Sequence, residues 1–110
     1  MLTDEMRYKL MRLLEGNPRL SQREVAHELG ISLGKVNYCV RALVRAGLIK
    51  ATRFKNSRNK AAYMYLLTPR GIETKAGLTL RFLQLRLREY EQLQAEIEQI
   101  RGEAKGLASR

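Results

Sequence analysis

Residues 21–49 read SQREVAHELGISLGKVNYCVRALVRAGLI, and this stretch contains the signals for two short helices. Ser21 and Glu24 have the S-x-x-E spacing of a capping box, which begins a helix. Gly30 follows the last apolar residue of that helix, where a left-handed C-terminal residue is expected. Ser32 then provides the N-cap of a second helix, which a later glycine ends. We therefore predict two helices joined by a turn of three residues.

Each predicted helix has one apolar face. The first face consists of Val25, Ala26 and Leu29, and the second of Val36, Val40, Leu43 and Val44. The opposite face of the second helix carries Lys35, Asn37, Tyr38, Arg41 and Arg45. No acidic residue occurs from Ser32 to Gly47, whereas a solvated helix face usually mixes both signs of charge. This composition is typical of a surface that contacts phosphates and base edges, although two capped helices also occur in ordinary helical hairpins.

Two short helices joined in this way are the layout of a helix-turn-helix, which inserts its second helix into the DNA major groove. A further helix is predicted before them, because Thr3 is a good N-cap and Asn17-Pro18 is a strong end signal. Its apolar stripe consists of Met6, Leu10, Leu13 and Leu14. We expect this helix to pack across the pair and complete a three-helix core.

After the second motif helix, the sequence predicts a β-hairpin with strands at about 48–54 and 61–67. The connecting segment KNSRNK, residues 55–60, has no apolar side chain. A hairpin in this place is the wing of a winged helix. Five basic residues and no acidic one occur from Lys50 to Lys60, which favours contact with phosphates or the minor groove. An ordinary polar loop tip is the alternative.

A long C-terminal helix is predicted next, because Thr68 and Pro69 are a typical N-cap and first helical residue. We assign residues 1–68 to the winged domain, 69–101 to the helix and 102–110 to a frayed tail. The helix would be roughly 48 Å long, which exceeds a domain of this size, so we expect it to pair with a second chain. The residues predicted to make that contact are Ala76, Leu80, Leu83, Leu87, Tyr90, Leu93, Ile97 and Ile100. A kink at Gly71 or Gly77, packing on the winged domain alone, and binding to a different protein remain alternatives.

The charge of the chain is strongly positive, with 21 Lys and Arg against 11 Asp and Glu. Residues 1–67 hold 13 basic and 5 acidic residues, whereas 68–110 hold 8 and 6. This excess indicates a polyanionic partner for residues 1–67. Nucleic acid is the first expectation, and an anionic membrane surface is the second. No signal peptide or membrane span is evident, so we expect a cytoplasmic protein of a bacterium or archaeon.

No catalytic arrangement or phosphate-binding loop is evident, and we expect neither enzymatic activity, nor a cofactor, nor a metal site. The only histidine, His27, cannot form a histidine-rich metal site by itself. The only cysteine, Cys39, lies next to the apolar line of the second motif helix and is expected to be a small buried residue. The alternative is a redox switch, if neighbouring cations lower its pKa.

Three runs of sequence carry a family resemblance: ISLGKVNYC (31–39), FKNS (54–57) and YLLTPRGI (65–72). They resemble the MarR-family exopolysaccharide-associated transcriptional regulators, and the order of elements is similar to MarR-type winged-helix regulators in general. The resemblance implies a homodimeric DNA-binding regulator of transcription, with genes for exopolysaccharide synthesis as its expected targets. This chain differs from the larger family because its motif core begins almost at residue 3, without the extra N-terminal helix that helps typical members dimerise. We therefore expect dimerisation through the C-terminal helix alone and do not carry over the family's small-molecule pocket.

The fold class predicted is mainly α with a small β-hairpin, a winged helix-turn-helix followed by a long dimerisation helix. Two paired copies would present their recognition helices about 34 Å apart to a pseudo-palindromic duplex. We expect Asn37 and Tyr38 to read base edges, and Ser32 and the cations to contact phosphates. The full set of predicted DNA contacts is Gln22, Arg23, Ser32, Gly34, Lys35, Asn37, Tyr38, Arg41, Arg45, Arg53, Lys55, Asn56, Arg58 and Lys60. An RNA-binding winged helix and a partner-binding module remain alternative functions.

Overall fold

The computed structural model describes residues 2–55 and 61–109, without the side chains of residues 54, 55, 61 and 62. Its elements are α1 (Asp4–Gly16), α2 (Gln22–Leu29), α3 (Leu33–Arg45), β1 (Ile49–Lys55), β2 (Ala61–Leu67) and α4 (Pro69–Ala108). The two strands pair antiparallel, with Ile49 opposite Leu67 and Arg53 opposite Tyr63. The predicted fold class, mainly α with one hairpin and a long C-terminal helix, is confirmed. In the described part of the chain, no helix is long and apolar enough to cross a membrane.

The predicted helix caps are present. The side chains of Thr3, Ser21 and Ser32 each accept a hydrogen bond, at 3.1 Å, from the main-chain N–H three residues further on. Glu24 completes the capping box by accepting from the N–H of Ser21 at 3.1 Å. Gly30 ends α2 with φ at 65°, a left-handed conformation that suits glycine. Local side-chain chemistry therefore determines where the first three helices begin.

The helices α1, α2 and α3 pack with the hairpin and the start of α4 around one core. The buried apolar residues are Leu10, Met11, Leu14, Val25, Ala26, Val36, Cys39, Val40, Leu43, Leu48, Ile49, Tyr65 and Leu78. The predicted burial of Val44 is wrong, because 40% of that residue is exposed. At about 100° per residue, Cys39 widens the buried stripe on the side away from Val44, which leaves Val44 at its edge. Met6, Leu13 and Leu29 are half-buried against this core.

The start of α4 is joined closely to the start of the hairpin. The Thr68 hydroxyl accepts from the N–H of Gly71 at 3.0 Å and donates to the carbonyl oxygen of Gly47 at 2.6 Å. The N–H of Thr68 also donates to the carbonyl oxygen of Leu48 at 3.0 Å. Gly71 is buried directly against Leu48. Thr68 is thus both the predicted N-cap of α4 and a link to the end of the helix-turn-helix.

The chain forms two compact units, Met1–Thr79 and Leu80–Arg110. The first turns of α4 belong to the first unit, where Leu78 is buried and Lys75 forms an ion pair of 2.9 Å with Glu15. The end predicted for α4 at residue 101 is wrong, because the helix continues to Ala108 and includes most of the supposed frayed tail. A glycine inside a helix costs only about 1 kcal/mol relative to alanine, so Gly102 does not end it.

The second unit is a single helical segment. Among its described side chains, all are exposed except the half-buried Phe82. Ion pairs on its surface join Arg86 to Glu89 at 2.6 Å and Arg101 to Glu98 at 3.5 Å. Its large apolar side chains are therefore open to solvent in the single chain.

Candidate nucleic-acid interface

The exposed face of α3 brings together six of the fourteen residues predicted to contact DNA. Gly34, Lys35, Asn37, Tyr38, Arg41 and Arg45 are all exposed, and 57% of Tyr38 is accessible. Every charged side chain of α3 is basic. Since Val36, Val40 and Leu43 are buried on the other side, the polar face is held outward by the core. This arrangement presents cations, an amide and a phenol together on one rigid helix.

The N-terminal ends of α2 and α3 contribute further polar groups. Arg23 is exposed in the first turn of α2. Ser32 uses its oxygen to accept from the N–H of Lys35, which leaves its hydroxyl hydrogen able to donate to a phosphate. The pKa of Glu24 is lowered, first by the hydrogen bond from the Ser21 N–H and then by that from the Ser21 hydroxyl. Glu24 is therefore ionised at neutral pH, where its charge favours the positive N-terminus of α2.

Two predicted DNA-binding residues are joined by a hydrogen bond that sequence reasoning missed. Asn37 Nδ2 donates to Gln22 Oε1 at 3.2 Å, and Gln22 Nε2 donates to the hydroxyl oxygen of Tyr65 at 3.1 Å. Tyr65 lies in β2 and is 8% exposed. The sequence contains no local signal for this chain of contacts, because its three members come from three different elements. The helices α3 and α2 and the hairpin are thus connected through one side-chain network.

A groove of about 600 Å³ lies between α3 and the hairpin. Its lining residues are Gln22, Asn37, Val40, Arg41, Val44, Arg45, Ala51, Tyr63 and Tyr65. Exposed apolar surface comes from Val44 and from Tyr63, which is 49% accessible. The Tyr63 ring stacks beside the Tyr65 ring, with centroids 6.5 Å apart. The Arg53 guanidinium lies 5.6 Å from the centroid of the Tyr63 ring. Side chains alternate between the two faces of a strand, so Tyr63 and Tyr65 lie on the same face of β2. The spacing of the two tyrosines in AAYMYLL therefore contained the information that both line this groove.

The predicted wing contacts are only partly described. Arg53 is exposed in β1. The side chains of Lys55, Asn56, Arg58 and Lys60 lie outside the described residues. Their assignment to the DNA interface stays a prediction.

Cys39 and His27 differ in exposure. Cys39 is 1% exposed, and its burial raises the pKa of the thiol more than the neighbouring charge of Lys35 lowers it. The pKa decrease required by the redox-switch alternative is therefore not present.

His27 is exposed on α2. Within residues 2–55 and 61–109, no group of three or more His, Cys, Asp or Glu side chains could hold a metal ion.

The predicted dimerisation residues lie along α4 and are all exposed. Ala76 belongs to the first unit, whereas those from Leu80 to Ile100 belong to the second. Leu80 is 64% accessible and Ile97 is 43% accessible. The Tyr90 hydroxyl accepts from Gln94 Nε2 at 3.1 Å, one turn further along the helix. The second unit therefore exposes seven of the eight residues predicted to contact a second chain, those from Leu80 to Ile100.

Two sequence comparisons each match 48 residues of this chain. A family model described as winged helix-turn-helix DNA-binding matches residues 3–50. The HTH-type transcriptional regulator Ptr1 of Methanocaldococcus jannaschii is 44% identical over 48 residues, which are 44% of this chain and 32% of that protein. The match thus spans about a third of the relative's length.

Solved structures share the fold over most of this chain. The PcaV transcriptional regulator from Streptomyces coelicolor, in complex with its natural ligand, has a TM-score of 0.63 at 22% identity, covering 77% of this chain and 59% of that one. MarR of Staphylococcus aureus, in complex with salicylate and kanamycin, has a TM-score of 0.59 at 17% identity. The match covers 78% of this chain and 56% of that one. A PadR-like transcriptional regulator from Bacillus cereus has a TM-score of 0.75 at 16% identity, covering 86% and 96%. At these identities, the similarity shows the fold.

Proposed function

Because residues 3–50 match the winged helix-turn-helix DNA-binding family model and the chain shares its fold with regulators such as MarR of Staphylococcus aureus, we propose that it regulates transcription as a homodimer on a specific duplex DNA site. The observation that carries this proposal is the exposed face of α3. Its charged residues are all basic, and they stand beside Asn37 and Tyr38 on a helix whose other side is buried. Positive charge supplies affinity for the DNA backbone, and amide and aromatic groups supply sequence discrimination.

In the proposed complex, α3 enters the major groove. Asn37 pairs its amide with N6 and N7 of an adenine, and Tyr38 contacts a neighbouring base or a thymine methyl group. Phosphate contacts come from Lys35, Arg41 and Arg45. The Ser32 hydroxyl and the N-terminus of α3 hold another phosphate, and Gly34 allows the backbone to approach it closely.

The elements on either side of α3 widen the contact. In the proposed complex, Gln22 and Arg23, at the start of α2, touch the DNA backbone. The proposed wing contact consists of Arg53, Lys55, Asn56, Arg58 and Lys60. These groups would add charge neutralisation along the backbone, so binding should weaken steeply as salt is added.

The proposed homodimer is supported by the second unit. A helix in water obtains most of its stability from packing its apolar face, and the apolar residues of this segment from Leu80 to Ile100 include none that is buried. Residues 80–110 hold six basic and five acidic residues, so their charge is nearly balanced. That balance suits a second copy of the same helix better than a polyanion. Pairing would bring two recognition helices to half-sites about one DNA turn apart, about 34 Å.

The proposed target genes are those of exopolysaccharide synthesis. The resemblance of ISLGKVNYC, FKNS and YLLTPRGI to exopolysaccharide-associated regulators supports control of exopolysaccharide synthesis genes. Chromatin immunoprecipitation in the source organism tests this, since enrichment beside such genes is expected and enrichment elsewhere would reject the assignment.

The central experiment is a selection from a library of random duplex DNA with the purified full chain. We expect an enriched pseudo-palindrome with half-sites about one turn apart. Sedimentation of the complex should give two protein chains per duplex. An enriched single half-site with one chain bound would reject the homodimer, and preferential binding of RNA of the same length would reject duplex DNA as the target.

A further inference from the structure

The Asn37 side chain is held by a chain of two hydrogen bonds that ends on a buried tyrosine. Asn37 Nδ2 donates to Gln22 Oε1, and Gln22 Nε2 donates to the Tyr65 hydroxyl, at 3.2 and 3.1 Å. We infer that Tyr65, acting through Gln22, orients the Asn37 amide for base reading and is therefore a specificity-determining positioning residue. This inference rests on the proposed function of Asn37 as a base reader.

Tyr65 is a fixed end point for this chain. It is 8% exposed, and its main-chain N–H donates to the carbonyl oxygen of Pro18 at 3.0 Å, which attaches β2 to the connection between α1 and α2. Its ring stacks beside that of Tyr63. Because backbone and ring are both held, the hydroxyl oxygen has a defined position in the folded domain.

In the structure, the Gln22 side chain donates to Tyr65 on one side and accepts from Asn37 on the other. It lies half-buried in the first turn of α2. When its amide nitrogen donates to Tyr65, its oxygen faces Asn37 and can only accept. Asn37 must then direct one N–H of its own amide toward Gln22. The exposed amide of Asn37 on α3 is thus linked, through Gln22, to the Tyr65 hydroxyl on the hairpin.

The resulting orientation suits an adenine. An asparagine amide has two N–H donors and one carbonyl acceptor, and the bond to Gln22 uses one donor. The second N–H and the carbonyl oxygen form the donor and acceptor pair that adenine N7 and N6 require. A freely rotating amide would present the reversed pattern as well and would lose more conformational freedom on binding. Preorganisation by Tyr65 should therefore favour adenine over the other bases.

The matched variants are Tyr65→Phe and Tyr63→Phe. Each removes one hydroxyl from β2 and keeps the ring, but only the first removes the end point of the chain. Binding is measured by fluorescence anisotropy on the duplex selected from the random library, on duplexes altered at single base pairs, and on a random duplex. The base pair read by Asn37 is identified as the one at which Asn37→Ala loses discrimination.

We expect Tyr65→Phe to reduce discrimination at that same base pair by about 3- to 10-fold, the range of one lost hydrogen bond. Its affinity for random duplex and its unfolding temperature should stay close to those of Tyr63→Phe. In the Asn37→Ala background, Tyr65→Phe should cause no further loss. Gln22→Met, which breaks the chain at its middle, should relax the same base pair and provides a second test if Tyr65→Phe unfolds.

The inference is overturned if Asn37→Ala relaxes one base pair while Tyr65→Phe and Gln22→Met leave it unchanged. It is also overturned if Tyr65→Phe weakens specific and random binding equally and does so in the Asn37→Ala background, because that result describes a purely structural hydroxyl. If Asn37→Ala relaxes no base pair at all, the base-reading role in the proposed function fails first, and the inference fails with it.

Discussion

Gly71 packs directly on the carbonyl group of Leu48, so closely that a β-carbon at residue 71 would overlap the Leu48 carbonyl oxygen. The contact joins α4 to the end of the helix-turn-helix, 23 residues earlier in the chain. Thr68 reinforces the same junction by bonding to the carbonyl oxygens of Gly47 and Leu48. The segment Thr68–Gly71 therefore does more than begin α4. Its glycine allows the helix to lie against the end of the helix-turn-helix.

We predict that Gly71→Ala destabilises the folded protein. The added methyl group meets main-chain atoms that cannot rotate away, and overpacking of this kind costs about 1–3 kcal/mol. Gly77→Ala is the matched control, since a β-carbon there meets nothing within 4 Å and alanine is favoured in a helix by about 1 kcal/mol. In urea unfolding, Gly71→Ala should lower the free energy of unfolding relative to the unaltered protein, and Gly77→Ala should raise it. Equal stability of both would show that the close approach at Gly71 is not needed.

The parts of the fold that were predictable from the sequence are those determined within one helical turn. Ser21 and Glu24 bond to each other across three residues, and Ser32 caps α3 in the same local way. The groups involved are close in the chain whatever the tertiary structure, so residue spacing is sufficient to identify them. The same holds for the basic face of α3, which follows from helical periodicity.

The features that were not predicted depend on contacts between distant segments. Val44 has the spacing of a core residue, yet it lies at the edge of a stripe that Cys39 helps to fill. The role of Gly71 requires the position of Leu48, and the role of Tyr65 requires Gln22 on another element. Periodicity describes one helix or strand at a time, so it contains no information on these pairs.

We predict that Asn37→Ala loses about 1–3 kcal/mol of binding free energy on the selected site and little on random duplex. The lost interaction is the bidentate contact with one base, which random sequences rarely provide in register. Anisotropy titrations on both duplexes measure the two affinities. Equal losses on both would assign Asn37 to the backbone instead of a base.

Arg58→Ala should weaken binding to specific and random duplexes alike. A wing arginine on a phosphate or in the minor groove contributes charge, so its removal should lower the slope of log affinity against log salt by about one. Arg12→Ala removes the same charge from the exposed side of α1 and is the control for net charge. If the two variants show the same salt slope, the wing does not contact DNA.

Cys39 should be unreactive in the folded protein. Burial raises the pKa of its thiol, so the thiolate fraction at neutral pH is smaller than for an ordinary cysteine, and only the thiolate reacts. Mass spectrometry after iodoacetamide treatment should find the native chain unmodified and the urea-unfolded chain fully alkylated. Rapid modification of the native protein, with loss of DNA binding, would restore the redox-switch hypothesis.

Leu87→Glu should convert the homodimer to a monomer. Leu87 is 51% exposed in the single chain, and its burial against a second copy would contribute about 1.5–3 kcal/mol per side chain, which a carboxylate cannot replace. Gln92→Glu introduces the same charge on the same exposed helix outside the predicted contact series, so it should remain a dimer. Sedimentation velocity over a range of concentrations measures the oligomeric state of each variant.

The monomer should still bind a half-site through α3 but lose the preference for two half-sites at a set spacing. That preference requires the two copies of α3 to be joined. If Leu87→Glu remains a dimer with the spacing preference intact, the second unit is not the dimerisation element and its apolar series needs a different partner.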